Sequence, residues 1–264
     1  MQSVMAEWPE AELLWRADAN YVAAMCIDVG SGEEGRVRQH DGVVAVCTGT
    51  PALPMNIVFV TAPPRDRERA LREGIDFMDA QRQPFLVRIR EGVDPGSERA
   101  LEALGFTYTD DIPGMALYPF AVRETTATGL QIREVADETT AEHHVRVMAE
   151  AFEMPRAIAD RILSLRTFTS TPDAHGYVGY LDGEPVATSA LVVTHRVAGI
   201  YNVATLPSHR GRGIGEALTW HALRAGARDG CLFGSLQASE MGRPVYERMG
   251  FRIVARYRTY NRRR

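Results

Sequence analysis

The sequence contains no lysine; all thirty of its positive charges are arginine. That excludes every mechanism that needs a lysine amine, including Schiff-base chemistry and the lysine of a phosphate-binding P-loop. Cysteine is scarce as well. Cys26, Cys47 and Cys231 are an odd number, far apart and outside any Cys-x-x-Cys or Cys/His cluster. Neither a disulfide framework nor a metal site is expected, and the three read as buried thiols. No apolar run approaches the roughly 20 residues that span a bilayer. The opening MQSVMAEWPEAELLW lacks the basic start, apolar stretch and cleavage site of a secretory signal. A soluble, cytoplasmic protein without a membrane partner is expected. A net charge of −4 gives no reason to expect nucleic acid, and the terminal NRRR reads as a solvated tail.

What is present divides in two. AVRETTATG, at 121–129, is polar, threonine-rich and without apolar period, and is the expected linker between domains over 1–122 and 129–264. After it, LQIREV reads as a strand, and TAEHHVRVMAEAF and PRAIADRILSL as helices. A hairpin follows around Asp182 and Gly183, then the strand AGIYNVATL, a helix to about Arg228, the strand CLFGSLQ, a short helix ending at Gly250, and a last strand FRIVARYRTY. The first half repeats part of this order: a helix at AELLWRADANYVAAMCI, strands GVVAVCTG and MNIVFVT, a helix from Arg65 and a strand PFLVRIR. SERALEALGFTYTDDIPGMALY then echoes RPVYERMGFRIVARYRTY, so a tandem duplication is expected.

HRGRGIGEAL, at 209–218, joins the strand AGIYNVATL to a helix. Such a turn offers free backbone N–H groups and the positive end of a helix dipole, which is an anion site. Glycine admits phosphate oxygens close to the amides and supplies φ above zero. A dinucleotide fingerprint fails, because its last glycine falls on Glu216 or Leu218. The pattern that fits is Arg-x-x-Gly-x-Gly at Arg210 to Gly215.

With RPVYERMGF thirty residues on, this stretch resembles the GNAT superfamily of N-acetyltransferases, over residues of about 130 to 260. The resemblance implies an α/β (α+β) fold, a mixed and mostly antiparallel central sheet flanked by helices, here as two tandem domains. It implies acetyl-CoA as co-substrate. The pyrophosphate would rest on Arg210, Gly211, Arg212, Gly213, Ile214, Gly215 and Glu216. The pantetheine arm would pair with the backbone of Val203, Ala204 and Thr205 like an added strand. Relatives carry an asparagine seven positions before the catalytic tyrosine, and here that position is Ser239. The tyrosine itself, which protonates the departing sulfur, corresponds to Tyr246.

No general base is legible. Relatives often place a glutamate on one of two splayed strands, but neither AGIYNVAT nor CLFGSLQ has an acidic residue. Glu153 and His195 are the two candidates, with a water relay as the alternative; His143 and His144 read as surface or packing residues. The reading is therefore an acetyltransferase acting on a small-molecule or peptide amine, as a pseudo-dimeric monomer or a homodimer. Its alternative is a CoA-binding sensor without turnover. The first half fails the same tests, with Asp66 and Glu68 in the turn after MNIVFVT and Leu101 at the counterpart of Tyr246. A degenerate domain that keeps the fold and has lost acetyl-CoA is expected there.

Overall fold

The computed structural model describes residues 9–30, 35–125, 127–162 and 165–262. The first half runs α1 (Glu10–Gly30), β1 (Arg36–His40), β2 (Val43–Cys47), β3 (Ile57–Val60), α2 (Arg67–Ala80), β4 (Leu86–Arg90), α3 (Pro95–Ala103) and β5 (Phe106–Leu117). The second runs β6 (Gln131–Glu134), α4 (Glu138–Ala151), α5 (Arg156–Ile162), α6 (Leu165–Thr169), β7 (Ala174–Leu181), β8 (Glu184–Thr194), β9 (Val197–Thr205), α7 (Ile214–Arg228), β10 (Phe233–Gln237), α8 (Arg243–Met249) and β11 (Arg252–Arg262). The short strand β1 and the helix α6 are additions to the sequence reading. β1 is exposed at every residue, so it carries no hydrophobic alternation to read. Part of the helix expected over PRAIADRILSL falls outside the described residues.

The two halves build one mixed sheet in the order β1-β2-β3-β4-β11-β5-β10-β9-β8-β7-β6. Two pairs are parallel, β3 with β4 and β9 with β10. The last strand of each half lies in the other half's sheet. β5 pairs with β10, and β11 pairs with β4, while β5 and β11 lie antiparallel to each other along the seam. The linker near 121–129 therefore separates the halves by connectivity, whereas the strands on either side of it are exchanged. Of the expected solvated tail, Asn261 and Arg262 are instead the end of β11, where Arg262 makes two hydrogen bonds to Asp79, at 2.9 and 2.8 Å, and Arg263 and Arg264 lie outside the described residues.

The core is layered on the two faces of this sheet. On one face α2 packs over Val43, Val58, Val60 and Tyr260, and α7 over Ala187, Leu191, Ile200 and Leu236. On the other, α1 covers the centre of the sheet and α4 covers β7 to β9. Helix α1 reaches across both halves. Asp18 takes Arg90 of β4 at 2.7 Å and the Tyr257 hydroxyl of β11 at 2.8 Å, and two residues later Asn20 bonds to β8 and β9.

His144, on α4, is fully buried and stands edge-on to Phe168 with ring centroids 5.1 Å apart. Burial holds its imidazole neutral and pushes its pKa down to about 4. The unfolded chain binds the proton at about 6.5, so between those values the unfolded state carries more protons and stability falls as pH falls. The expected loss is about 2 kcal/mol between pH 7 and pH 5. Urea denaturation at the two pH values should show it in the wild type and not in His144→Leu; an equal loss in both would remove His144 as the cause.

Candidate functional site

Strands β9 and β10 run side by side only briefly. Val197, Ala198 and Gly199 pair with Phe233, Gly234 and Ser235, and there the pairing ends. The other edge of β9 stays bonded to β8 as far as Thr205. Between Tyr201 and Ala204 the register shifts, so that two residues of β9 oppose one of β8, and Asn202 sits at φ +53° with its carbonyl accepting from the Thr188 hydroxyl at 3.0 Å. This is a β-bulge, which bends the strand and re-aims its end. Residues 200–205 thus present one edge to the fork between β9 and β10. Val203, Ala204 and Thr205, the residues assigned to the pantetheine arm, lie on that stretch.

In the first half the equivalent parallel pair does not open. β3 is paired to β4 along its full length, Ile57 to Leu86 through Val60 to Ile89.

Past Thr205 the chain makes a tight turn at Pro207–His209 and enters α7 through Gly211 at φ +76° and Gly213 at φ +73°. Both are left-handed, a region costly for any residue with a Cβ. A Cβ at either would meet no protein atom within 4 Å, so conformation and an open outer face, rather than crowding, set the need for glycine. Among the described residues, the amides of Gly211 through Glu216 have no intramolecular acceptor; the first helix bond is Ala217 N–H to Gly213 at 3.0 Å. Six unpaired donors therefore lie together at the positive end of a four-turn helix. Gly215 packs its open side near Thr205 Oγ1 and Val203, closing the turn onto the strand end. Glu216 lies in the first turn of α7.

The two arginines divide. Both are exposed, and Arg210 also reaches back to the fold: its guanidinium donates to the carbonyl of Thr205 at 3.1 Å and to that of Ala151 at 3.3 Å. It ties the end of α4 to the end of β9 at the turn.

Tyr246 lies on α8, edge-on to Phe251 with ring centroids 5.8 Å apart, and packs on the core beneath α7. Burial pushes its hydroxyl up to about 12, an effect that the facing Thr219 hydroxyl partly offsets. It is therefore protonated throughout the neutral range. Ser239 is spent on structure, its hydroxyl accepting from the Gly242 amide at 3.1 Å in the turn that leads into α8.

The two base candidates are placed differently. Glu153 is exposed at φ +51° just past α4, in the loop that Arg210 anchors, on the same end of the sheet as the glycine turn. His195 is in the β8–β9 turn, at the end of β9 opposite the glycine turn and roughly 30 Å of strand from it. There its carbonyl accepts from Arg16 at 2.7 Å and its ring meets Trp15. His143 bonds to the Tyr180 hydroxyl at 2.9 Å.

The matching turn of the first half carries a carboxylate where the glycines stand in the second. Asp66 caps α2 by accepting from Arg69 N–H at 3.2 Å, and its own amide donates to Asp41 at 3.0 Å. Leu101 is buried in the core. Sequence reasoning missed Asn20, Tyr201 and Gly199, which meet under α1 at the fork. The available signals were a polar residue inside an apolar helix and a glycine inside a strand.

Among the described residues no cluster of His, Cys, Asp and Glu could hold a metal, and no helix is long and apolar enough to cross a membrane. The family model described as "Acetyltransferase (GNAT) family" matches residues 135–251. No curated protein matches the chain. Among solved structures, a GCN5-related N-acetyltransferase from Kribbella flavida is 19% identical with a TM-score of 0.72 and covers 95% of both chains. A tandem GNAT protein from the clavulanic acid biosynthesis pathway is 13% identical with a TM-score of 0.57 over 92% of this chain and 94% of its own. A GCN5-related N-acetyltransferase from Ralstonia eutropha JMP134 is 30% identical over 92% of its length, which is 46% of this chain, with a TM-score of 0.36. Within a fold shared along nearly the whole length, residues 135–251 thus belong to the GNAT acetyltransferase family.

Proposed function

We propose that the chain is an acetyl-CoA-dependent N-acetyltransferase with one donor site, in its second half, acting on a primary amine of a small molecule or peptide. The observation that carries this reading is the fork between β9 and β10 ending at the amides of Gly211 to Glu216. A pyrophosphate suits those amides and the helix end, and an extended amide-bearing arm suits the open edge of β9 from Val203 to Thr205. The neutral amine nitrogen attacks the thioester carbonyl carbon. A C–N bond forms, the C–S bond breaks with its electron pair on sulfur, and Tyr246 is the proton donor that meets the departing sulfur. The proton lost from the amine passes to solvent, with Glu153 as the candidate base at that end of the sheet. The first half is, in this reading, a second domain of the same fold without a donor site: its parallel pair stays closed and a carboxylate caps its helix.

Gly213→Ala tests the donor site. Its methyl meets nothing in the protein but stands on the open face of the amides, so the acetyl-CoA Kd measured by calorimetry should rise at least tenfold. Gly230→Ala is the control, because Gly230 has the same left-handed φ with the same open surroundings in another turn. It should lower Tm by a similar few degrees and leave the Kd unchanged. Equal affinities in both variants would sink the assignment.

A second reading, a CoA-binding sensor, is favoured by one observation: neither splayed strand carries a carboxylate. Tight acetyl-CoA binding without CoA release on any amine would select it.

A further inference from the structure

Asn20 is fully buried in the middle of α1, a helix of the first half, yet its side chain is used by the second. Its amide nitrogen donates to the Val192 carbonyl and the Thr194 hydroxyl of β8, both at 2.9 Å, and its oxygen accepts from the Tyr201 hydroxyl at 2.7 Å. The oxygen is seated at Gly199, where even a methyl group would lie 1.9 Å from it. Gly199 is the last residue of β9 paired to β10, and Tyr201 is the next residue on that face of the strand. The carboxamide therefore stands at the base of the fork, and it fixes the direction of the Tyr201 hydroxyl. With its proton committed to Asn20, the Tyr201 oxygen has its lone pairs left to accept. Burial keeps that phenol protonated.

The same face holds a cavity of about 40 Å³ between α1 and α6, floored by Ala190, Val192, Tyr201 and Asn202 and walled by Met25 and Phe168. A second cavity of about 400 Å³ shares Ile27 and Thr167 with it and opens outwards past Arg166, Ser170, Thr171 and Asp173. Together they form a funnel with charged and hydroxyl side chains on one side of its mouth and a narrow, mainly apolar throat. The throat ends on Tyr201 and the bulge residue Asn202, on the face of the sheet opposite α7.

We propose that this funnel, one wall of which is built by α1, admits the acceptor, a primary amine on a slender apolar arm whose outer end is polar, and that Tyr201, oriented by Asn20, positions the amine. The amine donates one N–H to the Tyr201 oxygen, which turns its lone pair towards the carbonyl at the fork. The first half then contributes to acceptor recognition while the second holds the donor. This inference rests on the acetyltransferase reading, and its test separates the two.

The probes are acetyl-CoA with butylamine, hexylamine, phenethylamine and 6-aminohexanoate, assayed by CoA release. The wild type should act on at least one, with the chain-bearing amines ahead of butylamine. Tyr201→Phe should raise the acceptor KM at least tenfold with the acetyl-CoA Kd within twofold of the wild type. Ala190→Leu, which narrows the throat without touching a hydrogen bond, should raise KM for phenethylamine more than for butylamine. A wild type that binds no acetyl-CoA overturns the acetyltransferase reading and this inference with it. Binding without action on any of the four amines, or an unchanged acceptor KM in Tyr201→Phe, overturns the funnel alone.

Discussion

A fragment of residues 129–264 expressed alone is expected to be insoluble or unfolded, and co-expression with residues 1–122 is expected to restore a soluble complex that binds acetyl-CoA. The fragment carries the whole glycine turn and Tyr246, so a reading based on connectivity predicts a working domain. The sheet says otherwise. Without β5, strand β10 has a bare edge alongside the fork, where Gly234 to Gln237 now pair with Leu117 to Gly114. β11 loses partners on both sides, since β4 and β5 are both absent. Met115 and Leu117 leave the core beneath α7, and Tyr257 and Tyr260 lose the cores that bury them. Each large side chain of this kind is worth about 2 kcal/mol when buried, against a total stability of only about 5–15 kcal/mol. Long unpaired hydrophobic edges also template aggregation. The solubility of the fragment, its circular dichroism and its acetyl-CoA Kd check the prediction. A soluble, folded fragment with wild-type affinity would show that the exchanged strands are dispensable.

The elements of the second half were legible because their signals are local. The glycine turn, the Asp182-Gly183 hairpin and the alternation of FRIVARYRTY each depend on neighbours in sequence. Even the repeat could be read, as two copies of a short helix, a Gly-Phe pair and a strand. The exchange could not, because β5 and β11 carry the same kind of pattern and either would complete either sheet; partner choice is a property of the closed fold. The candidate site divides along the same line. The proposed donor end lies in one contiguous stretch, so local pattern can name its residues. The bonds of Arg210 to the carbonyls of Ala151 and Thr205, 59 and 5 residues away, follow from no local pattern. His195 looked close because it precedes β9, but a strand carries its two ends apart. The proposed acceptor end joins Asn20 to Tyr201, 181 residues apart, and no spacing rule connects them.

Tyr246→Phe is expected to lower kcat about 10- to 100-fold while the acetyl-CoA Kd stays within twofold. The size follows from the acidities. The hydroxyl, pushed up to about 12 by burial, is a weaker acid than an ordinary thiol at about 8.5, so full proton transfer to the thiolate would run uphill by about 5 kcal/mol. In the proposed mechanism the tyrosine therefore acts as a general acid mainly through its hydrogen bond to sulfur as negative charge develops, with little net proton transfer. A hydrogen bond to a charged partner contributes about 1.5–3 kcal/mol, which converts to the stated range. A thiolate is already a good leaving group near neutral pH, which is why the effect stops short of the larger losses seen when an acid is indispensable. The sign of the pH dependence follows as well. The donor form is the protonated one and persists up to about pH 12, so Tyr246 should impose no alkaline fall in kcat between pH 6 and 10. Over that range the wild-type rate should rise only as the acceptor amine loses its proton, and Tyr246→Phe should give the same profile displaced downwards. Stopped-flow CoA release across that pH range, with acetyl-CoA saturating, measures both quantities. A variant with the wild-type kcat would remove Tyr246 from the chemistry and leave it as a packing residue between α8 and α7, whereas an alkaline limb that disappears in Tyr246→Phe would show the hydroxyl titrating below pH 10 and overturn the pH prediction.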